Sequence, residues 1–281
     1  MLTLYREVVG AVVLFCAATW NGLQVSALKG PVLRHCAVSG LVYALIRLSV
    51  VFALHDGGAN ITAALVPLCP VLTLGLSLAL GLETMQAHTR SGVVMLGGLV
   101  LCVTCSALMA VVKGPLAFGT PGTGTSAPTS PTSGVLWMIV NTALSAAVQV
   151  HNKRILATGL PVIHMLAAIS FFCVVCLIPL TSAVAHVPKM WLPTGWLIVA
   201  CVYSGVFPTA VNNILMSRAN KHLGPTVANL WLPLQPVITC ALDFVTLGDA
   251  VYVGQLLCGL GVNAGLILAI WGKHEQGKVA A

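Results

Sequence analysis

The chain has 281 residues, 58% of them hydrophobic and only 7% charged, with a mean hydropathy of +0.99 and a formal net charge of +7. A soluble domain carries about 25% charged residues, so this composition excludes an ordinary water-soluble globule. The 13 cations sit between apolar runs and form no basic stripe, which excludes nucleic acid as a partner and makes them a topology signal in a lipid bilayer.

A helix needs about 20 apolar residues to cross a hydrocarbon core. Nine such spans follow one another: 5–27, 36–54, 60–81, 92–112, 134–151, 159–185, 194–216, 225–247 and 252–272. The expected fold is therefore an all-α, polytopic membrane protein of about nine transmembrane helices. One long break, GPLAFGTPGTGTSAPTSPTS, carries no charge and too little apolar area to bury. It divides the chain into a first half (1–113), a flexible linker (114–133) and a second half (134–281) ending in a short tail. No cleavable signal peptide is expected, because the first span starts close to Met1 without a small-residue cleavage site. Most of the 10 cysteines, Cys102, Cys105 and Cys173 among them, lie inside apolar runs and read as small packing residues.

Lys and Arg give the orientation. The side of Met1 holds Arg6, Lys113 and Lys189; the other side holds nine cations, and Arg47 lies inside a span. The richer side is cytoplasmic by the positive-inside rule, which places the C-terminus there.

The two halves repeat each other. Pro67-Leu68-Cys69-Pro70-Val71-Leu72-Thr73 returns as Pro233-Leu234-Gln235-Pro236-Val237-Ile238-Thr239, and Ser39-Gly40-Leu41-Val42 as Ser204-Gly205-Val206-Phe207. Glu83 and Asp249 stand at equal distances beyond the two proline pairs and read as caps of the following helices. The copies lie an odd number of spans apart, the third and the eighth, so they point in opposite directions, the inverted duplication of secondary transporters. The second half shows five spans and the first four, so a five-plus-five scheme lacks its opening helix in this sequence.

An ordered set of segments then resembles the EamA-like transporters of the drug/metabolite transporter superfamily, with the plant "walls are thin"-related branch as the nearest fit. The segments are Tyr203-Ser204-Gly205-Val206, Gly224-Pro225-Thr226-Val227-Ala228, Pro233-Leu234-Gln235-Pro236, Leu247-Gly248-Asp249 and Ile270-Trp271-Gly272-Lys273, with Tyr5-Arg6, Arg90-Ser91-Gly92 and Val112-Lys113-Gly114-Pro115 in the first half. Asp249 departs from the Glu usual there. The resemblance implies two inverted bundles around a central substrate cavity, alternating access, and small organic cargo such as amino acids or auxin-like and other aromatic compounds. Nucleotide sugars or phosphorylated metabolites are the alternative cargo, and a truncated, non-transporting membrane scaffold is the alternative role.

Particular residues carry the expected chemistry. Each proline removes a helix donor, so Pro67, Pro70, Pro233 and Pro236 should free the carbonyls of Ala63, Val66, Asn229 and Leu232 at a hinge or cavity wall. Arg47 sits mid-span, where a charge costs about 2.5 kcal/mol or more; it needs a wet pocket, an internal partner such as Asp243, or an anionic cargo. Its repeat mate is Asn212, beside Asn213. Asn212, Asn213, Asn229, Trp231 and Gln235 are the other candidate substrate contacts, and Asp243 the candidate proton carrier. Gly261 and Gly265 form a small-xxx-small pair that could pack within the bundle or in a homodimer. No phosphate-binding loop, metal-ligand spacing or nucleophile–base set is present in the sequence, so no cofactor, metal or enzymatic role is expected.

Overall fold

The computed structural model describes residues 2–22, 30–66, 68–81, 89–111, 116–118, 131–184, 195–229, 231–235, 237–238, 241–242, 245 and 251–280. The helices are α1 (Leu2–Trp20), α2 (Pro31–Leu65), α3 (Leu68–Ala79), α4 (Arg90–Val111), α5 (Pro131–Leu156), α6 (Val162–Val184), α7 (Trp196–Ser204), a π-helical turn (Gly205–Val211), α8 (Asn212–Leu223), α9 (Pro225–Asn229), a 3₁₀ turn (Leu232–Leu234) and α10 (Val253–Ala280). Among the described residues, seven helices are long and apolar enough to cross a membrane. α6 shows why: Met165, Leu166, Ile169, Cys173 and Leu177 are buried, yet Phe171, Val175 and Ile178 are exposed. A helix apolar on every face belongs in lipid.

Two departures from the expected spans have local causes. α2 runs unbroken through the gap placed between 54 and 60 and stops at Leu65, two residues ahead of Pro67. The residue before a proline is driven out of the helical region, so the break falls there. Inside the stretch read as linker, Leu116–Phe118 forms a strand (β1) antiparallel to Val251–Tyr252 (β2), with Leu116 opposite Tyr252 and Phe118 opposite Val251. The rest of 119–130, together with Glu83, Asp249, Lys113 and Lys189, lies outside the described residues.

The chain folds into two compact units, Met1–Leu48 with Val148–Gly224, and Ser49–Ala147 with Pro225–Ala281. Each unit joins two stretches that are far apart in the chain. In the first unit α1 packs on α6. Leu4 clusters with Cys173 and Leu177, late in α6, while Leu14 and Ala18 cluster with Val162, Met165 and Ile169, early in it. The two helices therefore run antiparallel. In the second unit α4 packs on α10 the same way: Gly272 meets Ser91 and Met95, Gly265 meets Gly98 and Cys102, and Gly261 meets Cys105. Backbone-to-backbone approach needs glycine there, since a Cβ on Gly98 would stand 2.6 Å from the Gly265 carbonyl oxygen. Gly261 and Gly265 thus serve packing within the chain.

The repeat reappears as matched contacts in the first unit. Gly40 of α2 lies against the Ile169 carbonyl and Phe172 Cβ of α6; Gly205 of the π turn lies against the Arg6 carbonyl and Val9 Cβ of α1. Each glycine touches a backbone oxygen and a side chain three residues further on, in helices that are themselves repeat partners. Antiparallel partners with exchanged contacts are what an inverted duplication requires.

Candidate functional site

The carboxylate of Glu7, 5% exposed, anchors a charged cluster in the first unit. Arg47 Nε lies 2.7 Å from its Oε1. Arg6 Nη2 donates to the same oxygen at 3.2 Å. Two guanidinia and one carboxylate leave this cluster one positive charge in excess. Glu7 also lines a small cleft, with room for little more than a water molecule, together with Tyr43, Leu166, Ile169, Ser170, Cys173 and Asn213. The walls come from α1, α2, α6 and α8, and Glu7, Tyr43, Ser170 and Asn213 supply polar atoms to an otherwise apolar lining.

A buried network fixes the cleft wall. Ser39 Oγ donates to Asn152 Oδ1 at 3.0 Å, and Asn152 Nδ2 donates to the Tyr43 hydroxyl at 3.4 Å. Ser39 and Asn152 are fully buried, so the amide is held in one orientation and Tyr43 with it. At the far end of α5, Lys153 Nζ donates to the carbonyls of Asn220 and Lys221 at 2.9 Å each, a cation on the C-terminus of α8. Gly224 (φ 92°) then ends α8 and Pro225 opens α9.

The π turn decides which asparagine reaches the cleft. Pro208 cannot donate to the Ser204 carbonyl, and the Thr209 hydroxyl takes that oxygen instead at 3.1 Å. The Asn212 N–H bonds back to Phe207 across the wider turn. A π turn inserts an extra residue into the helix. The simple repeat count pairs Arg47 with Asn212, but it is Asn213 that lines the cleft while Asn212 is exposed.

The remaining candidates lie in the second unit. Asn229 is fully buried, and its Nδ2 donates to Thr73 Oγ1 at 3.0 Å, which itself donates to the Cys69 carbonyl at 2.7 Å. This joins α9 to α3, each beside its proline motif. Trp231 is 60% exposed and Gln235 is exposed. Pro70 is buried in the first turn of α3, where no intrahelical donor is required. The carbonyls expected to be free at Val66 and Leu232 are not: the Cys69 N–H bonds to Val66 at 3.0 Å, and the Gln235 N–H bonds to Leu232. Tightening to 3₁₀-type bonds recovers what the prolines remove. Pro233 falls within the 3₁₀ turn; Pro67, Pro236 and Asp243 lie outside the described residues.

Sequence reasoning missed Glu7, Tyr43 and Ser170. It named Asp243 as the acid inside a span and counted Arg6 among the flanking cations. The structure puts Arg6 and Glu7 within α1, with Glu7 as the ion-pair partner of Arg47. One signal was available: in a short opening span, adjacent opposite charges cost less inside the helix if a third charge from a neighbour completes them. Among the described residues no group of three His, Cys, Asp or Glu is placed to hold a metal.

Antiparallel apolar helices that pair within each of two units, with a charged cleft in the first, define an integral, multi-pass membrane protein. Residues 132–271 match the family model of the EamA-like transporter family. In Arabidopsis thaliana, the WAT1-related protein At1g11460 is 23% identical over 257 residues, covering 85% of this chain and 74% of that protein. Protein WALLS ARE THIN 1 is 20% identical over 230 residues, covering 75% of this chain. This chain spans 59% of the length of WALLS ARE THIN 1. A solved crystal structure shares the fold with a TM-score of 0.68 at 17% identity, covering 95% of this chain and 85% of the other. The chain carries an EamA-like transporter domain and is a homologue of the plant WAT1-related proteins, within the drug/metabolite transporter superfamily.

Proposed function

We propose that this chain moves a small organic molecule bearing a carboxylate across its membrane by alternating access, with the Glu7–Arg47–Arg6 cluster as the anion-binding point and the C-terminus in the cytoplasm. The observation that carries the reading is the cluster's excess cation beside the cleft that Glu7 lines. A charge at membrane depth marks a substrate path or a relay. A guanidinium fork suits a carboxylate in geometry as well as charge. Asn213, Ser170 and Tyr43 offer further hydrogen bonds, and Leu166 and Ile169 an apolar wall for the body of the cargo. The inverted pairs supply two packings of one design, which suits exchange between inward- and outward-open forms. The twin broken segments in the second unit serve as hinges, with Asn229, Trp231 and Gln235 as further candidate contacts there and Asp243 as the candidate proton carrier.

Counterflow in proteoliposomes tests this. Loaded with an unlabelled aromatic carboxylate, vesicles holding the wild-type chain take up the labelled compound. Arg47→Ala loses about 90% or more of that exchange, the cost of one charge-assisted contact of about 1.5–3 kcal/mol, at equal protein per vesicle. Unchanged exchange by Arg47→Ala would sink the assignment.

A further inference from the structure

We propose that Glu7 sets the charge class of the cargo: by cancelling one of two guanidinia it leaves a cleft matched to a single carboxylate and closed to dianions. This rests on the carboxylate reading above and goes beyond it by assigning selectivity to one residue.

Charge counting in a confined space carries the inference. Among the described residues, the charged groups facing Glu7 are Arg6, beside it on α1, and Arg47 on α2; Tyr43 from α2 and Cys173 from α6 also border the cleft that the carboxylate lines. The side chains of Arg6 and Arg47 are only 24% and 20% exposed, and Glu7 only 5%, so water compensates little. Arginine stays protonated at any working pH. With Glu7 ionised, the empty cluster carries one positive charge. A monocarboxylate brings it to neutrality. A dicarboxylate brings it to one buried negative charge without a partner, which is strongly disfavoured in a low-dielectric site. An uncharged analogue leaves the positive charge unmatched. Rejection of the wrong charge comes from the repulsive element, Glu7, as much as from the attractive ones. Removing either charge by an isosteric change should therefore move selectivity by one unit, in opposite directions.

A matched series of labelled probes reads this out: phenylacetate, phenylmalonate and phenylacetamide differ in charge on nearly the same body. Counterflow is measured at fixed pH, with protein-free vesicles subtracted. The wild-type chain should exchange phenylacetate about tenfold or more faster than phenylmalonate, as one uncompensated buried charge implies. Glu7→Gln should shift that ratio about tenfold towards phenylmalonate. Arg6→Gln should instead lower the preference for phenylacetate over phenylacetamide by a similar factor. Glu7→Asp should keep the wild-type ratio. Ratios between probes do not depend on how much protein is folded, so a merely structural role for Glu7 leaves them where they were. Unmoved ratios in both Glu7→Gln and Arg6→Gln overturn the proposal while the carboxylate reading stands. If Glu7→Gln cannot be inserted, the variant of the less buried Arg6 decides alone. A wild-type chain that exchanges none of the three, in vesicles where it is inserted, removes the carboxylate reading and this proposal with it.

Discussion

Replacing Arg47 with Met keeps most of the side-chain volume and removes the charge that sits 2.7 Å from Glu7. Removing one member of a buried ion pair costs about 3–5 kcal/mol, because the other charge is left behind. Here Arg6 remains at 3.2 Å with a quarter of its side chain in solvent, so the loss should fall at the low end, about 3 kcal/mol. At roughly 2–4 °C per kcal/mol for a chain of this size, the melting temperature should drop by about 6–12 °C. Glu7→Gln added to Arg47→Met removes the carboxylate that Arg47 had paired. The double variant should then lose less than the two single losses combined, with a coupling of about 1 kcal/mol or more. The assay is built into the chain: Cys36, Cys69, Cys102, Cys173 and Cys201 are free and buried, so a thiol-reactive dye reports unfolding in detergent. Strictly additive losses, or an Arg47→Met variant that melts with the wild type, would refute the ion-pair account.

The remaining expectations use the same melting assay. Gly98→Ala should cost about 1–3 kcal/mol, because its Cβ meets backbone atoms of α10 at 2.6 Å that cannot rotate away. Gly97→Ala next to it meets nothing within 4 Å and should be neutral or stabilising; equal effects at the two sites would discredit the packing. Asn229→Ala should cost about 1 kcal/mol, since the Thr73 hydroxyl keeps its bond to the Cys69 carbonyl. Thr73→Val should cost more, about 1–3 kcal/mol, because the buried Asn229 amide then lacks this acceptor. The reverse order would count against that bond.

Residue by residue, legibility followed the range of the interaction. The apolar runs could be read because the bilayer imposes one length on every crossing, and a run's content is local. The Gly40 and Gly205 motifs were legible as a repeat, and their contacts with Phe172 and Val9 complete it. The proline motifs were legible as breaks, yet the fate of Val66 and Leu232 was not, since it depends on a one-residue tightening of the turn. Arg47 was legible as a residue needing a partner; its partner was not, because Glu7 lies 40 positions away, next to a cation counted with the flank.

What the sequence determined alone is membrane class, duplication and the antiparallel sense of the copies, because hydropathy, motif order and the parity of crossings need no third dimension. Which charge meets Arg47, which asparagine faces the cleft and which surface the helix glycines serve were decided by tertiary structure. Each depends on rotation of a helix about its axis, and an extra residue in the turn at Pro208 or a close approach at Gly98 sets that rotation through contacts far apart in the chain.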